Sequence, residues 1–202
     1  MKMLHVFTEE ASAKNVFEIV LPKILPPNVF FRVYPHQGKQ DLENALKKTI
    51  PSISNIPNSL ILITRDKDNI DCKELKNEII AILNNRCNCP YKIRIVCHEL
   101  ESWFLGDLGA VQMAYPRFKK EHHANKADIK NVDGIQKPSL YLLKIIPEYS
   151  GLESLPKLET SESISPFIDL QKNTSVSFQN MLSGVLELIS DELRGTQITE
   201  KD

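Results

Sequence analysis

Four short apolar runs alternate with amphipathic stretches through the first half of the chain, and no other feature constrains the fold as strongly. The runs cover residues 4–8, 29–34, 59–64 and 91–97, and they are enriched in the β-branched and aromatic residues that favour strands. The stretches between them carry apolar residues at helical spacing. This alternation predicts an α/β fold with a mostly parallel, four-stranded sheet flanked by helices.

The second half of the chain has a different pattern. It is polar at first, and apolar residues at helical spacing return only towards its end. We therefore predict an α/β core over residues 1–110 and a C-terminal, mainly helical extension over residues 111–195 that packs on this core. Residues 196–202 are predicted to form a flexible tail.

The composition excludes several classes of protein. Of the 202 residues, 42% are hydrophobic and 25% are charged, and the formal net charge is -1. This balance is typical of a globular protein, and it excludes a disordered polymer or a uniformly basic nucleic-acid-binding protein. No apolar run approaches the roughly 20 residues that span a bilayer. Glu9 and Glu10 follow the start too closely for a signal peptide, so we expect a soluble, cytoplasmic protein with no membrane association.

Two of the four cysteines are closely spaced. Cys87-x-Cys89, with Cys97 and His98 nearby, is compatible with a zinc site, but the second cysteine pair of a typical structural zinc site is missing. We favour ordinary reduced cysteines, because an unpaired cysteine usually behaves as a small buried apolar residue.

Acidic residues follow three of the four predicted strands. Glu9 follows the first strand, Asp66 and Asp68 follow the third, and Glu99 and Glu101 follow the fourth. In open α/β sheets, ligands bind outside the carboxyl ends of the strands. Residues i and i+2 of an extended chain point the same way, so each pair is expected to aim at one point. Carboxylate oxygens are the ligands that Mg²⁺ or Mn²⁺ prefers, which predicts a metal site here.

An alternative interpretation needs no metal. The same acids could be solvated loop residues or could cap the helices that follow the strands. We expect Asp71, for instance, to cap the helix that begins after it.

A glutamate after the first strand with Asp-x-Asp after the third resembles the Toprim fold of topoisomerases, primases and OLD-type nucleases. The chain more closely resembles a small family of Toprim-like proteins, the domain of unknown function DUF4276. The stretch Glu-Leu-Glu-Ser-Trp-Phe-Leu at residues 99–105 is the most distinctive part of this resemblance. The resemblance also rests on residues 9–13, 21–25, 65–68, Cys72, 95–107, 137–139, Lys157 and 173–178.

The resemblance implies a Toprim-like (Rossmann-like) sheet and metal-dependent phosphodiester chemistry. Asp66 and Asp68 would hold Mg²⁺ or Mn²⁺, and Glu9 would bind the ion or activate a water molecule. Toprim nucleases usually have glycine where Glu10 stands, which leaves open whether Glu9 or Glu10 faces the metal; we favour Glu9.

Further residues would complete such a site. Glu99 and Glu101 could form a second metal position, and Lys157, which matches a lysine of the family pattern, is a candidate catalytic residue that could contact a phosphate. Trp103, between these groups in sequence, is expected to be a core anchor. Four further lysines are candidate nucleic-acid-binding residues, although a solvated surface is the simpler interpretation: Lys119, Lys120, Lys126 and Lys137.

These residues predict a Mg²⁺-dependent nuclease subunit that acts on nucleic acid, with DNA favoured. The chain has no phosphate-binding Gly-x(4)-Gly-Lys-Ser/Thr loop, so an ATPase in the same prokaryotic defence or repair system would be a separate partner. None of the tyrosines lies in a topoisomerase-like motif, which favours hydrolysis over strand passage. A homodimer is also compatible with the sequence. Alternatives are a non-catalytic Toprim-like adaptor that binds an ATPase or nucleic acid, and a phosphoryl-transfer enzyme for small molecules.

Overall fold

The computed structural model describes residues 1–68 and 70–191, the side chain of Asp191 excepted. The strands are β1 (Lys2–Thr8), β2 (Val29–Pro35), β3 (Ser59–Asp66) and β4 (Tyr91–Val96). They form one sheet in the order β2-β1-β3-β4, and every neighbouring pair is parallel. This confirms the predicted four-stranded parallel sheet. The predicted tail and the last residues of the predicted extension lie outside the described part of the chain.

Helices flank the sheet and continue through the second half of the chain. None of those described is long and apolar enough to cross a membrane. Short 3-10 helices lie at Lys120–His122, Val132–Gly134, Pro147–Tyr149 and Ser165–Phe167. The α-helices of the described residues are α1 (Ala11–Ile24), α2 (Lys39–Ile53), α3 (Cys72–Leu83), α4 (Glu101–Leu105), α5 (Leu108–Ala114), α6 (Ala127–Lys130), α7 (Pro138–Ile145), α8 (Lys157–Ile164) and α9 (Val176–Asp191).

The two faces of the sheet bury different halves of the core. Successive side chains of a strand point to opposite faces. Leu60 and Leu62 of β3 therefore pack with α1 and the extension, whereas Ile61 and Ile63 pack with α2 and α3. All four side chains are fully buried, as expected for a central parallel strand covered on both faces.

The order of the strands reverses between β1 and β3. From β1 the chain continues to β2 on one side, and from β3 it continues to β4 on the other. Thr8 and Thr64 are paired near the carboxyl ends of these two strands. Such a reversal opens a crevice outside the strand ends, which is the usual ligand position in open α/β sheets.

Trp103 joins the extension to the core. Its side chain is 1% exposed, which confirms the predicted core anchor. Its indole Nε1 donates to Ser177 Oγ at 3.0 Å, and its ring meets Phe178 edge-on with a centroid distance of 5.3 Å. These contacts hold the start of α9 against α4.

Several boundaries differ from the predictions. β3 extends through Asp66, two residues beyond the predicted run, and β4 ends at Val96, one residue before the predicted end. α1 begins at Ala11, so Ser12 lies inside its first turn. The predicted cap Asp71 is confirmed, since its carboxylate accepts hydrogen bonds from the backbone N–H groups of residues 73 and 74.

Candidate functional site

Glu9 and Asp66 meet at the crevice between β1 and β3. The backbone N–H of Asp66 donates to Glu9 Oε2 at 3.3 Å. The Glu9 side chain is only 13% exposed. Burial is the main cause that raises the pKa of Glu9, and the hydrogen bond from Asp66 opposes this effect. The carboxyl ends of the two central strands therefore bring these acids together.

Glu10 turns towards the extension instead. Lys157 Nζ, at the start of α8, lies 3.1 Å from both Glu10 Oε1 and Glu10 Oε2. The two adjacent glutamates thus have different partners: Glu9 contacts Asp66, and Glu10 contacts Lys157. Both side chains lie at this edge of the sheet, and the preference for Glu9 over Glu10 as the residue that faces a metal ion stays a prediction.

Glu101 is the most deeply buried acid of the site. It is the first residue of α4, and its side chain is completely buried. Lys157 Nζ lies 3.6 Å from Glu101 Oε2, too far for a hydrogen bond, and neither carboxylate oxygen has a hydrogen-bond partner among the described residues. Burial raises the pKa of Glu101 to about 7, although the charge of Lys157 acts in the opposite direction.

Asp66 lies among the same groups. Burial raises its pKa well above the usual range of an aspartate, and the charges of Glu10 and Glu101 raise it further. Lys157 partly compensates for this repulsion. We call Glu9, Glu10, Asp66 and Glu101 the acidic cluster.

Lys157 carries the positive charge that contacts the acidic cluster from α8. Burial alone would lower the pKa of its ammonium group, but Glu101 and Glu10 outweigh this effect and raise the pKa above its usual value. Lys157 therefore stays protonated at every physiological pH. Burial is the main cause of the raised pKa values of Glu101 and Asp66, and the charge of Lys157 opposes it at both positions.

The donor chemistry of the acidic cluster fits a divalent cation. Its atoms are hard carboxylate oxygens, two of which are buried without a hydrogen-bond partner at Glu101. Through residues 1–68 and 70–190, however, no three Asp, Glu, His or Cys side chains already stand in the arrangement of a metal site. Binding of an ion would therefore require side chains of the cluster to rotate towards a common point.

Comparison with protein families identifies the chain. The model of the domain of unknown function DUF4276 matches residues 8–186. The chain belongs to this family. The matched region contains the whole acidic cluster and Lys157. Comparison with curated proteins gave no match, and neither did comparison with solved structures. The family match assigns no activity, so the link to Toprim nucleases stays a prediction.

In this DUF4276 domain, two of the predicted metal ligands lie at the border of the acidic cluster, since the charge of Asp68 raises the pKa of Glu9 and the charge of Glu99 raises the pKa of Glu101. Glu99 Oε2 accepts a hydrogen bond from the backbone N–H of Ser139 in the first turn of α7 at 2.8 Å. β4 has already ended at Val96, so the alternation of an extended strand does not apply, and Glu99 and Glu101 point to different partners. Asp68 is exposed and follows β3 in a left-handed backbone conformation, with φ 50°.

The sequence analysis considered His98 only beside the cysteines, and the structure places it against the loop after β3. Its Nδ1 donates to the carbonyl oxygen of Asp68 at 3.1 Å, and its Nε2 lies 3.3 Å from Gln136 Nε2. A carbonyl only accepts, so the proton is on Nδ1, and Nε2 accepts from the Gln136 amide. His98 thus ties the loop after β4 to the loop after β3. A cavity of about 300 Å³ lies beside it, lined partly by Lys67 and Asp71.

Arg65 was missed, although it stands out in sequence as a cation at the end of an apolar strand. Its side chain is 1% exposed. Arg65 Nη1 lies 3.0 Å from Glu43 Oε1 in α2 and 3.6 Å from Glu78 Oε2 in α3. Its Nε lies 3.9 Å from Glu9 Oε2. Arg65 therefore lies behind Glu9, on the face of the sheet that α2 and α3 cover.

The predicted nucleic-acid-binding lysines lie on the surface of the extension. Lys119, Lys120, Lys126 and Lys137 are all exposed. Lys126 Nζ is 3.1 Å from His123 Nδ1. Lys137 directly precedes α7. It is close in sequence to Ser139, whose backbone N–H donates a hydrogen bond to Glu99. These positions make the lysines accessible to a ligand of any size.

Proposed function

We propose that the acidic cluster binds Mg²⁺ or Mn²⁺ and supports the hydrolysis of phosphodiester bonds in nucleic acid, with DNA as the favoured substrate. One observation carries this proposal. The Glu9, Asp66 and Glu101 carboxylates, from the ends of β1 and β3 and from α4, lie near one another at the reversal of strand order, and their pKa values are raised by burial and by the charges of neighbouring acids. A divalent cation would relieve that repulsion.

The arrangement of the acids supports a Toprim-like interpretation of the sheet. Glu9 follows β1 and Asp66 ends β3, on neighbouring parallel strands. In our proposal Asp66 and Glu101 hold the ion from within the cluster. Asp68, exposed beside them, joins the site when substrate is bound.

Other residues of the cluster handle the proton and the phosphate. The ion, when bound, would lower the pKa of a water molecule and offset charge on the phosphate. Glu9, whose pKa is raised by burial, accepts the proton of the attacking water as the water oxygen bonds to phosphorus and the phosphorus–oxygen bond to the leaving group breaks. Lys157, always protonated, pairs with a phosphate oxygen. The exposed lysines of the extension would contact the nucleic-acid backbone farther away.

The cellular context is proposed from the sequence alone. The domain would serve as the nuclease subunit of a defence or repair system, and any ATPase in that system would be a separate protein. One observation favours the alternative of a non-catalytic adaptor: Lys157 pairs with Glu10 and Glu101, so part of the acidic charge has a partner within the chain.

The proposal is tested with purified protein, supercoiled and single-stranded DNA, and Mg²⁺, Mn²⁺ or EDTA. We expect metal-dependent cleavage that falls at least about 100-fold in Asp66→Asn and in Glu101→Gln, as for loss of a group that stabilises the transition state. Glu18→Gln, an exposed glutamate of α1, is the matched control and should retain activity. Isothermal titration calorimetry measures metal binding by the same proteins.

Two outcomes would count against the nuclease. Cleavage that persists in the Asp66→Asn/Glu101→Gln double variant would show that the activity arises elsewhere. Absence of cleavage together with absence of Mg²⁺ and Mn²⁺ binding would favour the adaptor. The Glu99→Gln variant then refines the ligand set: retained activity supports the acidic cluster, and lost activity supports the two-glutamate metal position predicted from sequence.

A further inference from the structure

A second reactive centre lies at the other end of the sheet, in the loop between α3 and β4. This loop holds Cys87 and Cys89, just before β4 begins at Tyr91. The acidic cluster lies at the opposite, carboxyl ends of the strands. Whatever the cysteine pair does is therefore separate from the proposed nuclease chemistry.

The loop is held at several points. Ser54 Oγ, after α2, donates to the carbonyl oxygen of Arg86 at 3.2 Å. Asn88 Nδ2 donates to Asn55 Oδ1 at 2.9 Å. The backbone N–H of Ile61 in β3 donates to the carbonyl oxygen of Pro90 at 3.0 Å. Contacts before, between and after the two cysteines thus restrict the backbone that carries them.

The two thiols are neighbours in space as well as in sequence. Cys87 Sγ and Cys89 Sγ are 4.0 Å apart, and Cys87 Sγ also donates to the carbonyl oxygen of Cys89 at 3.4 Å. Both side chains are half-buried at the edge of the core between the sheet and helices α2 and α3. Small oxidants can therefore reach them, and a disulfide needs the sulfur atoms to approach by about 2 Å.

The electrostatic environment activates one member of the pair. A hydrogen bond with the Cys89 thiol lowers the pKa of Cys87 to about 7, although burial acts against this. A thiol whose pKa lies near the ambient pH combines a large thiolate fraction with good nucleophilicity. The contrast within the chain is Cys97, whose pKa is raised, chiefly by burial.

We propose that Cys87 and Cys89 form a redox-active dithiol that a hydroperoxide oxidises reversibly to a disulfide. The Cys87 thiolate attacks a peroxide oxygen, the oxygen–oxygen bond breaks, and water leaves after protonation, which produces a sulfenic acid on Cys87. The Cys89 thiol then attacks this sulfur, the sulfur–oxygen bond breaks, and a second water leaves. In total, two thiols lose two electrons and two protons to one peroxide.

The test uses the full chain, reduced and then exposed to one equivalent of hydrogen peroxide. After alkylation in denaturant, intact mass spectrometry should show that only two of the four thiols are alkylated. Digestion should then give a peptide in which residues 87 and 89 are linked. Dithiothreitol should restore all four thiols. In the reduced protein, iodoacetamide should modify Cys87 at least about ten times faster than Cys97 at neutral pH.

Variants separate this proposal from general thiol oxidation. Cys89→Ser should stop the reaction at a sulfenic acid that dimedone traps on Cys87, and Cys87→Ser should abolish the rapid step. The Cys72→Ser/Cys97→Ser double variant is the control and should form the disulfide at the rate of the unmodified chain. Equal oxidation of all four cysteines, or no loss of thiols with one equivalent of peroxide, would overturn the proposal.

Discussion

Two adjacent residues of β3, Arg65 and Asp66, build two charge clusters of opposite character on the two faces of the sheet. On one face, Arg65 meets Glu43, Glu78 and, more distantly, Glu9, and we call these four residues the arginine cluster. On the other face, Asp66 lies in the acidic cluster, which Lys157 contacts. Glu9 stands at the boundary and belongs to both clusters.

The clusters differ in how their charges are compensated. In the arginine cluster, a fully buried guanidinium group is the centre, and the Glu43 and Glu78 carboxylates around it reach solvent. In the acidic cluster, the buried groups are carboxylates, and their pKa values are raised. A compensated buried charge stabilises local geometry, whereas an uncompensated group of acids is typical of a site that binds a cation. The comparison favours a structural role for the arginine cluster and agrees with the cation site that we propose for the acidic cluster.

Removal of the central cation should have the largest effect. Arg65→Met leaves the partly buried Glu9 and Glu43 carboxylates without this cation, whereas Glu78 keeps Lys39 at 3.8 Å. We expect the free energy of unfolding to fall by about 3–5 kcal/mol. Urea denaturation measures the loss. Arg117→Met, an exposed arginine, is the control and should change stability by less than about 0.5 kcal/mol. A loss below about 1 kcal/mol in Arg65→Met would show that the arginine cluster is not a stabilising centre.

The acidic cluster should make stability depend on pH through Glu101. Its pKa is about 7 in the fold against an ordinary value of 4.5. A carboxyl group with a raised pKa favours the folded state at low pH, and this contribution is lost as the pH rises from about 4.5 to about 7. The expected loss of stability is about 3 kcal/mol in the absence of divalent ions.

Glu101→Gln should remove the share of the pH dependence that Glu101 contributes, because an amide has no proton to lose, and should leave the share of Asp66 and Glu9, whose pKa values are also raised. Urea denaturation between pH 4.5 and 8, with EDTA present, measures it. Glu99→Gln, two residues earlier and bonded to α7, should leave the dependence in place. If the two variants showed the same pH profile, Glu101 would not be the group responsible.

A divalent cation should stabilise the fold by offsetting the negative charge of the acidic cluster. Mg²⁺ or Mn²⁺ at about 100 times its dissociation constant should raise the free energy of unfolding by about 2.7 kcal/mol. The stabilisation should be larger at pH 8 than at pH 6, because binding competes with protons on acids whose pKa values are raised. Thermal denaturation with and without the ion measures the effect, and Asp66→Asn should abolish it. Equal stabilisation of Asp66→Asn would place the ion elsewhere.

The smallest effect is expected at the rim of the arginine cluster. The Glu78 side chain is 41% exposed, and its Oε2 is 3.6 Å from Arg65 Nη1. Solvent screens such a pair, so Glu78→Gln should cost less than about 1 kcal/mol. Glu43→Gln, which removes a 3.0 Å charged hydrogen bond at a less exposed position, should cost more in the same urea experiment. A larger loss of stability in Glu78→Gln than in Glu43→Gln would contradict the idea that the less exposed ion pair contributes more.

The sheet and part of the acidic cluster could be predicted from sequence because both follow from local rules. Buried parallel strands are apolar on both faces, and β3 shows this pattern clearly. The carboxyl ends of such strands meet at one edge, so Glu9 and Asp66 could be expected to approach each other. These inferences need only the positions of the strands.

The positions of Glu101 and Lys157 could not be predicted from local sequence rules. Glu101 was placed on an extended chain, but the chain turns after Val96 and enters α4, which buries this side chain and separates it from Glu99. Its contact with Lys157 joins positions that are distant in sequence, and only the packing of α8 against α1 creates it. Lys157 itself could be proposed only through a resemblance to a family.

The contact between Glu10 and Lys157 has a consequence for protein synthesis. The residues are 147 positions apart, and every strand of the sheet is complete by Val96. A nascent chain therefore carries Glu10, Asp66 and Glu101 without their ammonium partner until α8 has left the ribosome. Enclosure of these acids therefore depends on a residue that is synthesised long after the strands that carry Glu10 and Asp66.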